Sequence, residues 1–200
     1  MTAVLEAPPT PVSFGSGYVF KEERTLQLRC HDRYFRDAIV NDEDGNKLFD
    51  MSAKQLFTSW SLRRTLIDAS GEHYWDLRYH RAKLTEWIAE DATGKELGKI
   101  KNHTKVSSKA LAAEAIVHTD SGDKTIDIKS FDVSGLKTVF EVDGATIAEL
   151  TMTDNNDSSF LHMRDMDRSV WSLRIAAGVD VALVLAMSFF RCEVSHAYRR

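Results

Sequence analysis

Cysteine and proline are scarce in this chain of 200 residues. Its two cysteines, Cys30 and Cys192, lie near opposite ends, so the sequence contains no disulfide framework and no paired-cysteine metal motif. All three prolines fall within the first eleven residues, where glycine and serine follow them. Such a composition is typical of an extended, poorly ordered segment. The sequence therefore predicts a flexible leader over residues 1–17 and one domain over residues 18–200.

No charge of one sign dominates. Acidic residues outnumber lysine and arginine by 30 to 26, which leaves a net charge of -4 and no general attraction to nucleic acid. Residues 1–17 lack the basic and apolar regions of a secretory signal. Position 2 is threonine rather than glycine, and the last four residues contain no prenylation cysteine. We therefore expect a cytoplasmic protein without a nucleic-acid partner, whose contact with membranes, if any, is peripheral.

A repeated hairpin pattern fills the chain from Tyr18 to about Met152. Each unit is a β-rich run, a polar tip containing glycine, and a second β-rich run. Glycine suits these tips because tight hairpin turns need a positive φ angle. Five tips predict five antiparallel hairpins: Asp44-Gly45-Asn46, Ser70-Gly71-Glu72, Thr93-Gly94-Lys95, Ser121-Gly122-Asp123 and Asp143-Gly144-Ala145. Two segments stay open: residues 109–118 fit a strand better than a short helix, and residues 53–60 fit a helical turn or an irregular strand.

The C-terminal run from Val179 to Phe190 changes from the strand period to the helix period. As a helix it is apolar on every side, which requires burial in protein or in a bilayer. Twelve residues give about 18 Å of helix, against a hydrocarbon core of about 30 Å. Burial in protein is therefore favoured, and a closed sheet would supply apolar contact all round. Asp180 suits the start of this helix and Arg191 suits its end.

These features resemble the tubby C-terminal-like superfamily, most closely its LURP-one-related proteins, with phospholipid scramblases as more distant relatives. The similarity lies in Gly178-Val179-Asp180 opening the apolar helix, and in the run of strands from Tyr34 to Lys101, which includes Arg63-Arg64 and Trp75. It covers residues 18–195. The resemblance implies a mainly β fold: a closed antiparallel barrel of about twelve strands around a central hydrophobic C-terminal helix, without catalytic machinery.

The same resemblance implies a binding function, because tubby proteins bind phosphoinositides and scramblases are associated with membrane lipids. The leading hypothesis is a non-catalytic peripheral membrane adaptor that binds anionic phospholipid head groups. Clustered lysines and arginines suit such a ligand. The candidate lipid-binding residues are Arg63, Arg64, Arg78, Arg81, Lys83, Lys95, Lys99, Lys101 and Lys105. A solvated hairpin face is the alternative interpretation, since Glu86, Glu90, Asp91 and Glu96 lie among these residues.

Two other functions compete with lipid binding. One is a cytoplasmic scaffold that binds protein through the proline-rich leader or an exposed strand edge, and the other is lipid scrambling. Enzymatic activity is not predicted, because no acid, base and nucleophile converge in the sequence. The seven histidines show no HxH or HExxH spacing, and Cys192 with His196 is too small a set for a metal. The sequence therefore predicts no catalytic residue, no metal and no cofactor.

Overall fold

The computed structural model describes residues 2–15, 17–31, 37–53, 63–80, 83–103, 112–119, 122–130, 135–156 and 167–198, with the backbone alone at 83–84 and 196–198. These residues form twelve β-strands and one α-helix. The elements are β1 Arg24–Cys30, β2 Ala38–Asn41, β3 Lys47–Ala53, β4 Arg64–Asp68, β5 His73–His80, β6 Lys83–Glu90, β7 Glu96–Asn102, β8 Ala112–Thr119, β9 Gly122–Ser130, β10 Lys137–Val142, β11 Ala145–Asn155, β12 Ser169–Ile175 and α1 Val181–Tyr198.

The strands form a closed antiparallel barrel. Each strand pairs with its neighbours in sequence, and β1 also pairs with β12, where Leu28 lies opposite Trp171. Alternation sets the inner face of the barrel: on β12 the residues Ser169, Trp171, Leu173 and Ile175 are buried, while those between them are partly exposed. The predicted fold class is confirmed. Because β1 to β12 are all paired on both sides, the prediction of an exposed strand edge among them is wrong.

The glycine tips all lie at one end of the barrel, together with the start of α1; we call it the tip end. Gly45, Gly71, Gly94, Gly122 and Gly144 all have positive φ angles, as the hairpin pattern requires. In three tips an aspartate Oδ1 accepts backbone N–H groups two and four residues further along the chain. These aspartates are Asp42, Asp68 and Asp91. Local chemistry thus fixes the turns, and the turns fix the strand order.

Helix α1 fills the barrel. All twelve residues from Val181 to Cys192 are at most 1% exposed, as expected of a helix without a polar stripe. Trp75 reaches in from β5, and its indole Nε1–H donates to the carbonyl of Ala182 over 2.8 Å. Phe190 meets Trp87 edge to face, with ring centroids 5.5 Å apart. The predicted burial of the C-terminal helix inside the barrel is confirmed.

The ends of α1 differ from the sequence-based expectation in one respect. Asp180 caps the start as predicted, accepting the N–H of Leu183 over 3.2 Å. Arg191, however, does not mark the exit, because the helix continues to Tyr198. Its buried guanidinium donates to the hydroxyls of Thr138 and Ser130 over 3.1 and 3.2 Å. Beyond Cys192 the burial of α1 is partial, since Glu193 and Val194 are half-buried while Ser195 is buried.

The structure describes part of the two segments, residues 109–118 and 53–60, whose secondary structure the sequence left undecided. Residues 112–119 form β8, which confirms the strand prediction over that range. Residues 109–111 and 54–60 lie outside the described residues. Cys30 and Cys192 are both buried and unbridged.

The leader lies against the barrel over residues 2–15. The N–H of Glu6 donates to the carbonyl of Thr146 over 2.9 Å, and the side chain of Val12 is only 3% exposed. The prediction that the leader is flexible concerns its motion, which these contacts do not measure, and it stays a prediction.

Candidate functional site

Most of the candidate cations that the structure describes lie on the outer face of β4–β7. Tyr79 and Trp87 lie opposite each other inside the barrel, so the residue before Tyr79 and the residue after Trp87 point outward. Arg78 on β5 accordingly lies opposite Ile88 on β6, and Ile88 lies opposite Lys99 on β7. We call this surface the cationic face; its described members are Arg63, Arg78, Lys99 and Lys101.

Two arginines of the cationic face converge on one carboxylate. Glu90 at the end of β6 accepts Arg63 Nη2 over 2.9 Å on one oxygen, and Arg78 Nε over 2.9 Å on the other. Arg78 Nη2 contacts the same oxygen. Arg63 also donates from Nη1 to Asp76 Oδ2 over 2.7 Å. The two arginines, 15 positions apart in the sequence, are therefore brought together by the β4–β5–β6 register.

Hydrogen bonds within this cluster shift the pKa values of Asp76 and Arg78. Burial pushes the pKa of Asp76 upward, but hydrogen bonds from Thr65, Arg63 and His73 together outweigh burial and hold that pKa below its ordinary value. The hydrogen bond to Glu90 raises the pKa of Arg78, because it stabilises the charged guanidinium. Two arginine side chains thus face two acidic side chains, Asp76 and Glu90.

The lysines of the cationic face are paired as well, at longer range. Lys99 Nζ lies 3.9 Å from Glu96, and Lys101 Nζ lies 3.5 Å from Glu114. His103 Nε2 lies 3.2 Å from the same Glu114 oxygen. Four cations thus meet four carboxylates, Asp76, Glu90, Glu96 and Glu114. The ion pairs described on this face are therefore balanced in sign.

Arg64 does not belong to the cationic face, and its prediction as a surface residue needs correction. Its side chain is 2% exposed and points into the barrel, where Nη2 lies 2.6 Å from Glu193 of α1. The Arg64 Cζ lies 5.0 Å from the centroid of the Trp87 ring. Strand alternation explains the difference, because consecutive residues of a strand point to opposite faces.

The remaining candidates are not brought into this cluster by any described contact. Lys95 is exposed in the β6–β7 tip. Lys83 starts β6, where only the backbone is described, and Arg81 and Lys105 lie outside the described residues. Lipid binding by all four stays a prediction.

Sequence reasoning missed the interior network at the far end of α1. Glu193 receives Tyr79 Oη–H over 2.8 Å as well as the Arg64 ion pair. Burial, and then the Glu193 charge, raise the pKa of the Tyr79 hydroxyl well above its ordinary value. No local signal identifies this network, since Glu193 lies 129 positions beyond Arg64. The network joins β4 and β5 to α1, so its role is structural. We call Arg64, Tyr79 and Glu193 the structural lock.

Within the residues that the structure describes, no group of three histidine, cysteine or acidic side chains is placed to hold a metal ion. Over the same residues, no helix has both the length and the apolarity needed to cross a bilayer.

The fold and the cationic face define a class of protein: helix-filled antiparallel β-barrels with a charged outer face. Comparison with known proteins gives the family. The LURP-one-related family model matches residues 24–189, so the chain belongs to the LURP-one-related family. A crystal structure of a protein from Arabidopsis thaliana is similar, with a TM-score of 0.64 over 92% of this chain and 99% of that one. At 14% identity this likeness shows the fold alone. No curated protein matches the sequence significantly.

Proposed function

We propose that the chain is a non-catalytic binding module that associates peripherally with anionic phospholipid surfaces on the cytoplasmic side, using the cationic face. The observation that carries this proposal is the convergence of Arg63 and Arg78 beside Lys99 on one outer face. The tubby-like character of the family supports a binding role and no catalytic one.

The arginine geometry suits a phosphate ligand. A guanidinium holds carboxylate and phosphate oxygens with the same planar fork, so a head group can replace Glu90 as the acceptor of Arg63 and Arg78. The carboxylates already present oppose this exchange. Binding should therefore be weak for the single barrel and should fall steeply as salt concentration rises.

Substitution of Glu90 tests lipid binding by the cationic face directly. Glu90→Gln removes one negative charge from the cationic face but keeps an oxygen that can accept a hydrogen bond. Because one charge near an anionic surface contributes about 1 kcal/mol, binding to phosphatidylserine or phosphoinositide vesicles should rise about fivefold. Co-sedimentation with anionic vesicles and with neutral phosphatidylcholine vesicles measures this.

Glu141→Gln is the matched control. Glu141 also accepts a cation, Lys129 Nζ over 2.6 Å, but it lies on β10, away from the cationic face. Its removal changes the net charge equally and should alter vesicle binding much less. Equal binding by both variants, or equal binding to anionic and neutral vesicles, would refute lipid recognition by this face.

A protein-binding scaffold is the second candidate, and the balance of four cations against four carboxylates favours it. Such a surface matches a partner with an alternating charge pattern better than a uniformly anionic membrane. Here Glu90→Gln should not increase vesicle binding. Lipid scrambling by α1 is the least supported function, because Val181 to Cys192 are buried and the barrel would have to open.

A further inference from the structure

The leader makes its contacts at two separate places on the barrel. We call residues 2–15 the strap. At its start, the Ala3 N–H donates to Glu149 Oε2 over 2.8 Å, and Arg174 Nη1 donates to the Ala3 carbonyl over 3.1 Å. The Glu6 N–H bonds the carbonyl of Thr146 on β11. The other place of contact, near residue 13, lies at the tip end beside the start of α1.

Asp180 holds the second anchor. Its Oδ2 accepts the Ser13 hydroxyl over 2.5 Å and the Phe14 N–H over 3.0 Å, while its Oδ1 caps α1 at Leu183. Asp180 is 1% exposed, while Ser13 and Phe14 are half-buried, so the carboxylate itself is largely shielded from bulk water. One buried carboxylate therefore joins the strap to the helix.

Apolar side chains complete the seat of the strap. Val12 is 3% exposed within the core cluster, and Phe14 packs against the same cluster. Phe14 lies over Gly98 of β7, where a Cβ atom would stand 3.2 Å from its ring. The bare backbone of Gly98 leaves room for an aromatic ring at this point. The seat thus accepts three consecutive residues: apolar, hydroxyl-bearing and aromatic.

The strap has two anchors, one at Ala3 and Glu6 and one at Ser13 and Phe14. Most residues between Glu6 and Val12 lie outside the core. Ala7, Pro9, Thr10 and Pro11 are all exposed. The core contacts of the strap come from Leu5, Val12 and Phe14, and the twelve-stranded sheet does not include the strap.

We propose that the seat of the strap, between Asp180, Gly98 and Thr146, is a docking groove for an extended peptide with an apolar, hydroxyl-bearing and aromatic sequence. The strap is its resident ligand. Negative charge at Ser13 vacates the groove, because it replaces a hydrogen-bond donor to Asp180 with an anion that the carboxylate repels. This inference concerns the tip end and is independent of lipid binding by the cationic face.

The first experiment measures release of the strap in the full chain. Ser13→Asp should make the amides of Glu6 and Phe14 exchange with deuterium at least about tenfold faster, while the strand amides stay protected. Thr10→Asp is the matched control, because it adds the same charge at an exposed position between the anchors. Phe14→Ala should release the strap without adding charge, which keeps the test valid if Ser13→Asp folds poorly.

The second experiment fills the vacated groove. A fluorescein-labelled peptide of residues 2–15 should bind the Ser13→Asp chain saturably in a polarisation titration. Binding to the wild-type chain should be at least about tenfold weaker, because a tethered strap competes at an effective concentration of about millimolar. A peptide that itself carries Ser13→Asp should not bind.

Two results would overturn the proposal. One is a Ser13→Asp strap that exchanges no faster than the strap of Thr10→Asp. The other is a released strap, shown by fast exchange over intact strands, whose vacated seat does not bind the peptide.

Discussion

Replacing Arg64 with methionine tests the structural lock at the far end of α1. The substitution keeps an apolar stem of similar length but removes the cation that pairs with Glu193, whose side chain is 17% exposed. Breaking a buried ion pair typically destabilises a protein by about 3–5 kcal/mol, since the remaining charge stays buried without compensation. The contact of the guanidinium with the Trp87 ring is lost too. We expect a total near the upper part of that range, a large share of the typical stability of about 5–15 kcal/mol.

Urea unfolding followed by tryptophan fluorescence measures the change. Arg63→Met is the matched control, because after its loss Asp76 keeps its bonds to Thr65 and His73 and Glu90 keeps its bond to Arg78, so the destabilisation should be smaller, about 1–2 kcal/mol. The double variant Arg64→Met with Glu193→Met should recover most of the lost stability, as no unpaired charge then remains. If Arg64→Met and Arg63→Met prove equally stable, or if the double variant is less stable than Arg64→Met, the reasoning is wrong.

Two further predictions concern β7 and its neighbours. Gly98→Ala would place a Cβ atom 2.4 Å from the carbonyl oxygen of Ile116, so β7 and β8 must shift and the free energy of unfolding should fall by about 1–3 kcal/mol; an unchanged urea midpoint would contradict this. His118 has its pKa raised by hydrogen bonds to Asp123 and Glu96. Because the pKa of His118 is higher in the folded than in the unfolded chain, its protonation stabilises the fold. This contribution to stability is fully present below the unfolded pKa of about 6.5 and is lost as pH rises through the folded pKa. The stability difference between wild type and His118→Gln should therefore be largest at low pH, at most about 1 kcal/mol for so exposed a group, and should vanish in alkaline urea titrations; a constant difference across pH would refute it.

Local rules predicted much of the fold. The tip glycines and alternating strands predicted the hairpins, and the apolar run predicted a helix that needed cover on every side. Both follow from interactions within a few residues, which the sequence displays directly. The length of α1 was underestimated, because Arg191 reads as a surface residue until the hydroxyls of Thr138 and Ser130 are placed beside it.

The candidate site was less predictable. The sequence marked Arg63 and Arg78 as candidates in two separate basic regions, but it could not show that they share one face or that both bond Glu90. The sequence also could not show that Arg63 lies outside and Arg64 inside the barrel. The face on which a residue lies depends on where its strand begins, and β4 begins at Arg64.

The sequence by itself determined the hairpin order and the all-round apolarity of the last helix, since turn chemistry and hydrophobic period are properties of neighbouring residues. Only the tertiary structure decided the contacts over long separations: Arg64 with Glu193, and Ser13 with Asp180, 167 positions apart. The physical reason is that barrel closure brings β1 beside β12 and the leader beside the helix start. Whether a charged residue holds the helix, as Glu193 does, or the leader, as Asp180 does, or lies on the surface depends on what the closed barrel places next to it.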